Sequence, residues 1–124
     1  TTGLSPAAKL IAANRAYYRA YRRNARMMAI VEQVATFNVE FQRLRHEHRR
    51  QLVDRTARAI TRWQDEGLVR PGLDPRLAAR AMFAMVEHTL YLWLIQGEDA
   101  DEEALLDTLD RMSVAALGLD PDDA

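Results

Sequence analysis

Apolar residues recur along this chain at intervals of three and four, with almost no strict alternation, so the pattern predicts helices throughout. Ser5-Pro6 reads as a cap followed by a proline in the first helical turn. Leu10, Asn14, Tyr17, Tyr18 and Tyr21 then hold one helical face, with the tyrosines on its buried side. The pattern pauses and changes phase around Arg22 to Asn24, which predicts a break. Met27, Met28, Ile30, Val31, Val34 and Phe37 carry a second helix to about Thr36. Asn38 is the next expected N-cap, and Glu40 suits the positive end of the helix that follows. That third helix is long: Phe41, Leu44, Leu52, Val53, Thr56, Ile60 and Trp63 line one side, and Gly67 stops it. The loop LVRPGLDP leads into a fourth helix, and the acidic stretch EDADEE opens a fifth, roughly Asp101 to Leu117, closed by Gly118. The short tail Thr1 to Leu4 precedes the first helix, and residues Asp120 to Ala124 are expected to fray. The expectation is an all-α bundle of about five helices in a single domain, residues 1–124, with no internal repeat.

The fourth helix organises the rest. Asp74 supplies the cap, Pro75 fits the first helical position, and Gly97 can close the end at Pro75 to Gln96. At about 100° per residue, Arg76, Arg80 and Glu87 share one narrow line, and apolar residues cover the opposite arc of roughly 240°. A surface helix of a monomer needs an apolar stripe only somewhat over ~100° wide. Either this helix is the centre of one bundle, or it packs its own core on one side and another subunit on the other. The line Arg80, Phe83, Ala84, Glu87, Tyr91, Leu94 repeats at three and four residues as a helix seam does. Ala84 permits close approach, and across a twofold axis Arg80 could reach Glu87 of the second copy. The predicted homodimer uses this seam together with Leu105, Leu109 and Met112 of the last helix.

Composition narrows the chemistry. The absence of cysteine excludes a disulfide framework and thiolate catalysis, and is compatible with the cytoplasm. The longest apolar runs fall well short of the ~20 residues of a membrane span, so no membrane partner is expected, and the N-terminus has no signal-peptide pattern. Residues 1–70 hold 14 Lys and Arg against 6 Asp and Glu, a balance of +8; residues 71–124 hold 3 against 12, a balance of −9. A basic half can bind nucleic acid. Here the arginines are spread between apolar residues, which fits solvated faces or oppositely charged faces meeting inside the fold.

Candidate catalytic and metal sites fail on spacing. His46 and His48, two apart on a helix, point about 200° away from each other and cannot grip one ion. No glutamate is followed three residues later by the histidine that di-iron bundles require. Phosphate loops and nucleophile elbows are absent from the sequence. No metal, cofactor or enzymatic activity is expected. His88 alone is titratable within the apolar helix, where a core or interface role suits it best.

The aromatic and methionine positions point instead to a pocket. Tyr17 and Tyr21 lie one turn apart, Met28 follows on the next helix, and Phe41, Ile60 and Trp63 lie along the predicted inner face of the third. Met82 and Met85 lie opposite the Arg80–Glu87 line and can close a cavity. Thioethers adapt to irregular contents, and a buried tyrosine hydroxyl seeks a partner. The predicted ligand is a small apolar or aromatic molecule oriented by a tyrosine hydroxyl, with His88 or Thr89 at the edge. No buried Lys or Arg is evident on these faces, which disfavours a highly charged ligand such as a bare phosphate.

The strings YRAYRRNARMMAIVEQVA, then FNVEFQRLRHEHRRQLVDRTARAITRWQDEGLVRPGLDPRLAARAMFAMVEHTLYLWL, then DTLDRMSVAALGL resemble the C-terminal domain of TetR-family transcriptional regulators over nearly the whole chain. The most telling part is the long basic helix ending at Gly67, the Leu-Val-Arg-Pro loop, and Asp74-Pro75 with Ala78 and Ala79. The resemblance implies an effector-binding and dimerisation domain of a repressor. Its last two long helices would pair with their copies as a four-helix interface, and an inducer would sit among the first four helices. The family's N-terminal helix-turn-helix is not among these residues, so a fragment of a longer regulator is expected. DNA would be reached only through that missing part, and this chain alone would bind DNA weakly and without sequence preference. The competing expectation is a helical scaffold or adaptor whose core is filled by its own side chains.

Overall fold

Four of the five helices begin at a side chain that accepts one of the free backbone donors of the first turn. In the computed structural model, which describes residues 3–123, Ser5 accepts from the Ala8 amide, Asn38 from Phe41, Asp74 from Leu77 and Asp101 from Ala104. The helices that follow are α1 (Pro6–Arg23), α2 (Ala25–Ala35), α3 (Val39–Asp65), α4 (Pro75–Leu94) and α5 (Glu102–Leu117). The predicted break is real: Asn24 closes α1, donating its side-chain amide to the Ala20 carbonyl, and its backbone carbonyl opens α2. Gly118 ends α5 with φ of 73°, a left-handed conformation that a Cβ would strain, and at that site a Cβ would also meet the Arg70 side chain. No strand occurs among the described residues.

Two expectations about the ends need correction. α4 stops at Leu94, because the Gln96 amide turns back to the Tyr91 carbonyl and Gly97 takes a positive φ of 78°. The predicted frayed end instead folds: Leu119 is buried, Pro121–Asp123 form a 3₁₀ turn, and the Asp123 carbonyl accepts from the Ser5 hydroxyl. Thr1, Thr2 and Ala124, parts of the two predicted tails, lie outside the described residues.

α1 and α5 run antiparallel, stitched by polar contacts. Arg15 donates to Asp110 at 2.9 Å, Asn14 donates to Ser113 at 3.2 Å, and Arg22 reaches Glu102 at 2.8 Å, with Tyr18 donating to the same carboxylate. Here the basic half of the sequence meets the acidic half. α3 packs antiparallel along α4, with Arg76 paired to Asp54. The apolar core has two parts. One joins Ala7, Leu10, Val53, Ile60, Trp63, Ala79, Met82, Val114 and Leu117; the other joins Tyr18, Tyr21, Val86, Leu90, Leu106 and Leu109.

The N-terminal half of α3 departs from the predicted inner face. Leu44 is exposed there, as are Phe37 and Val39 around its start and Met27 and Ile30 on α2. Phe41 is half-buried, while Val53, Ile60 and Trp63 further along the same helix are enclosed by α1, α4 and α5.

Candidate functional site

A cleft of about 350 Å³ opens between α1, α3 and α4. From α1 come Leu10, Ala13, Asn14, Ala16 and Tyr17; from α3, Leu52, Arg55 and Thr56; from α4, Ala79, Met82, Phe83 and Val86. The spacings explain the convergence: 10, 13, 14 and 17 share one helical face, as do 52, 55 and 56, and 79, 82, 83 and 86. Such a volume lies at the small end of ligand pockets, and its largely apolar wall with a few polar groups is typical of them.

Aromatic rings form the inner wall. Tyr17 meets Phe83 edge-on with ring centroids 5.3 Å apart, and meets Tyr21 at 5.9 Å. The Arg49 guanidinium lies over the other side of this group, 5.6 Å from the Phe83 centroid. Beyond the rings sits a half-buried polar cluster in which Glu32 pairs with Arg45 at 2.8 Å. Burial raises the Glu87 carboxyl above its ordinary pKa, and the nearby charge of Glu32 adds to the effect. Burial likewise raises the Tyr17 and Tyr21 hydroxyls, with Glu87 contributing. The Tyr21 hydroxyl and the Arg45 Nε are both buried without a hydrogen-bond partner among the described residues.

Of the nine residues expected to contact a ligand, the cleft gathers Tyr17 and Met82. Tyr21 stands behind Tyr17 in the second core region, and Met28 packs against the same region. Ile60 and Trp63 are packed within the first core, with Ile60 fully buried, and offer no surface to the cleft. Phe41 lies on the poorly covered end of α3. Met85 points to the opposite side of α4, into a shallow groove with Thr89, Leu105, Thr108 and Met112. His88 is exposed and stacks on Tyr91, ring centroids 5.8 Å apart.

The residues expected to form a dimer seam do not share one outward face. Phe83 faces the cleft, and Glu87 faces Tyr17, Tyr21 and the Arg45–Arg49 pair, so neither projects outward. Tyr91 and Leu94 lean on the second core region, and Leu109 is buried inside the chain's own bundle. Arg80 and Ala84 are exposed, Met112 is exposed, and Leu105 is half-buried. The open stripe of α4 is Leu77, Ala81, Ala84 and His88, flanked on α5 by Ala104, Thr108 and Met112. Its centre lies roughly 80° from that of the predicted seam, close to the ~100° step of a single residue. Arg55, an exposed residue, also lines the cleft.

Among the described residues, no three carboxylate or imidazole side chains come together as metal ligands, and no helix is long and apolar enough to cross a membrane. In comparisons with known proteins, the family described as tetracyclin repressor-like, C-terminal domain, matches residues 3–116. No curated protein and no solved structure matches the chain.

Proposed function

The chain belongs to the tetracyclin repressor-like C-terminal domain family, and on that premise we propose that it binds a small, mostly apolar effector in the α1–α3–α4 cleft and dimerises through α4 and α5. Domains of this family are ligand-binding and dimerisation parts of TetR-like regulators and are regulatory rather than catalytic. The observation that carries the reading is the division of α4. Met82, Phe83 and Val86 face an open cleft inside the subunit, while Leu77, Ala81, Ala84 and His88 are exposed on the outward side. A scaffold with its core filled by its own side chains is the competing reading, and it predicts no ligand-dependent shift in thermal unfolding.

In this reading the full protein is a cytoplasmic repressor whose DNA contacts lie in an N-terminal helix-turn-helix outside these residues. Effector in the cleft presses on Tyr17 of α1 and Phe83 of α4, and a shift in α4 changes the angle at which two copies meet. The proposal is tested by thermal unfolding of the chain against a panel of apolar and amphipathic small molecules. At a hundredfold excess over Kd a true ligand stabilises by about 2.7 kcal/mol. The shift should vanish when the exposed cleft-mouth residue Ala16 is changed to Trp. A panel without any shift, or shifts indifferent to Ala16→Trp, would count against the cleft.

A further inference from the structure

We propose that the effector is an amphipathic anion, an apolar chain or ring system ending in a carboxylate-like group, and that Arg55 at the cleft mouth receives the charged end. The inference rests on the assignment of the cleft as the effector site.

The wall of the cleft has a polarity of its own. Leu10, Leu52, Met82 and Val86 supply its apolar depth, and Arg55 is the only charged residue among those lining it. The other polar groups on the wall are unequally free. Asn14 already donates its amide to Ser113 at 3.2 Å and to Asp110 at 3.4 Å, across the α1–α5 seam. On α3, the Thr61 hydroxyl is turned back onto the Ala57 carbonyl at 3.0 Å, whereas Thr56 makes no such bond among the described residues and lines the cleft beside Arg55. Arg55 itself has no carboxylate within ion-pair distance among the described residues, because its neighbour Asp54 faces the other way and is held by Arg76. A guanidinium with a free fork and an adjacent hydroxyl are the donors a carboxylate takes.

A cationic effector finds no counter-charge there. The interior carboxylates around it are already engaged: Asp110 takes the Arg15 guanidinium and the Asn14 amide, Glu32 pairs with Arg45, and Glu87 lies in the field of Arg45 and Arg49. The cleft volume of about 350 Å³ equals the liquid volume of roughly a dozen waters at ~30 Å³ each, room for a ligand of about that many heavy atoms. A ten-carbon acid is therefore a fitting probe.

The experiment is calorimetric titration of the 124-residue chain with decanoate and decyltrimethylammonium below their micelle concentrations and decanol below its solubility limit. The expected result is decanoate binding about tenfold tighter than decanol and tighter still than the cation, since Arg55 is solvent-exposed and a charged hydrogen bond there is partly screened. Arg55→Gln should remove the preference and leave decanol affinity within about twofold, and Ala16→Trp should abolish binding of all three. Equal affinities for decanoate and decanol, or a decanoate preference that survives Arg55→Gln, would overturn the anion proposal and leave the cleft standing. Binding untouched by Ala16→Trp, or no binding of any probe, would remove the cleft assignment and the proposal together.

Discussion

The two sides of α4 are made of similar residues and have opposite surroundings. On the inner side, Ala79, Met82, Val86 and Leu90 are buried against α1, α3 and α5, and Phe83 closes the cleft. On the outer side, Leu77, Ala81 and Ala84 are left in the open beside Met112 of α5. Alanine, leucine and methionine appear on both sides. Apolar content therefore tells how much surface a helix must cover, and only the neighbouring helices tell what covers it. The outer side is the excess over the ~100° stripe that one bundle requires.

The largest expected contrast is in stability. Leu90 is fully buried, so Leu90→Ala should cost about 2–5 kcal/mol in denaturant unfolding, whereas Leu77→Ala, at a residue 58% exposed, should change the monomer by less than ~0.5 kcal/mol. Both are best measured in an Ala84→Glu background, where assembly does not contribute. Comparable losses at the two sites would erase the distinction.

Next comes the seam that fixes α5 beside α1. The buried Asp110 takes the Arg15 guanidinium and the Asn14 amide, and Arg15 remains partly solvated. Asp110→Ala should therefore cost about 2–3 kcal/mol, below the full penalty of a wholly buried pair. An unaltered unfolding midpoint would mean that this network does not hold the two helices together.

Tyr21→Phe sharpens the inner side. Its hydroxyl is buried without a partner, so its removal should leave stability unchanged or raise it by up to ~1 kcal/mol. Decanol affinity should stay the same, since Tyr21 stands behind Tyr17 and not on the cleft wall. Reduced ligand affinity would restore the orienting role that the tyrosine pattern suggested.

The smallest expected effect is electrostatic. Burial, and then Glu32, raise the Glu87 carboxyl above its usual range. A carboxyl raised on folding makes the native state hold more protons than the unfolded chain between the two pKa values. Stability then declines as pH rises through that window, and the penalty is fully present above it. Glu87→Gln should raise Tm at pH 7 relative to wild type, with the gap closing as pH falls toward 4.5. A lower Tm for the variant at pH 7 would mean that Arg45 and Arg49 stabilise the charged form more than burial opposes it.

The fold was largely legible because local chemistry set it. Ser5, Asn38, Asp74 and Asp101 cap helices where the pattern placed starts, and Gly67 and Gly118 lie at two of its stops. The site was legible by face and not by residue. Leu10, Asn14, Leu52 and Thr56 already stood on predicted inner faces, yet the pocket was assigned to the larger aromatic and sulfur side chains, several of which simply fill the core. The phase of α4 was hidden because its apolar arc is too broad to define an axis. Glu87 then drew the seam toward itself, although Arg49 and Arg45 partly offset the burial of a half-buried glutamate. Arg55 escaped notice because a long charged side chain can lie along an apolar wall with its head in water.

The central claim is that α4 serves a ligand on one side and a second copy of the chain on the other. Sedimentation equilibrium at micromolar concentration tests it directly, comparing wild type, Ala84→Glu on the outer stripe and Ala16→Trp at the cleft mouth. The account predicts the mass of a dimer for wild type and for Ala16→Trp, and a monomer for Ala84→Glu. A monomeric wild type, or a dimer that Ala84→Glu leaves intact, would contradict it.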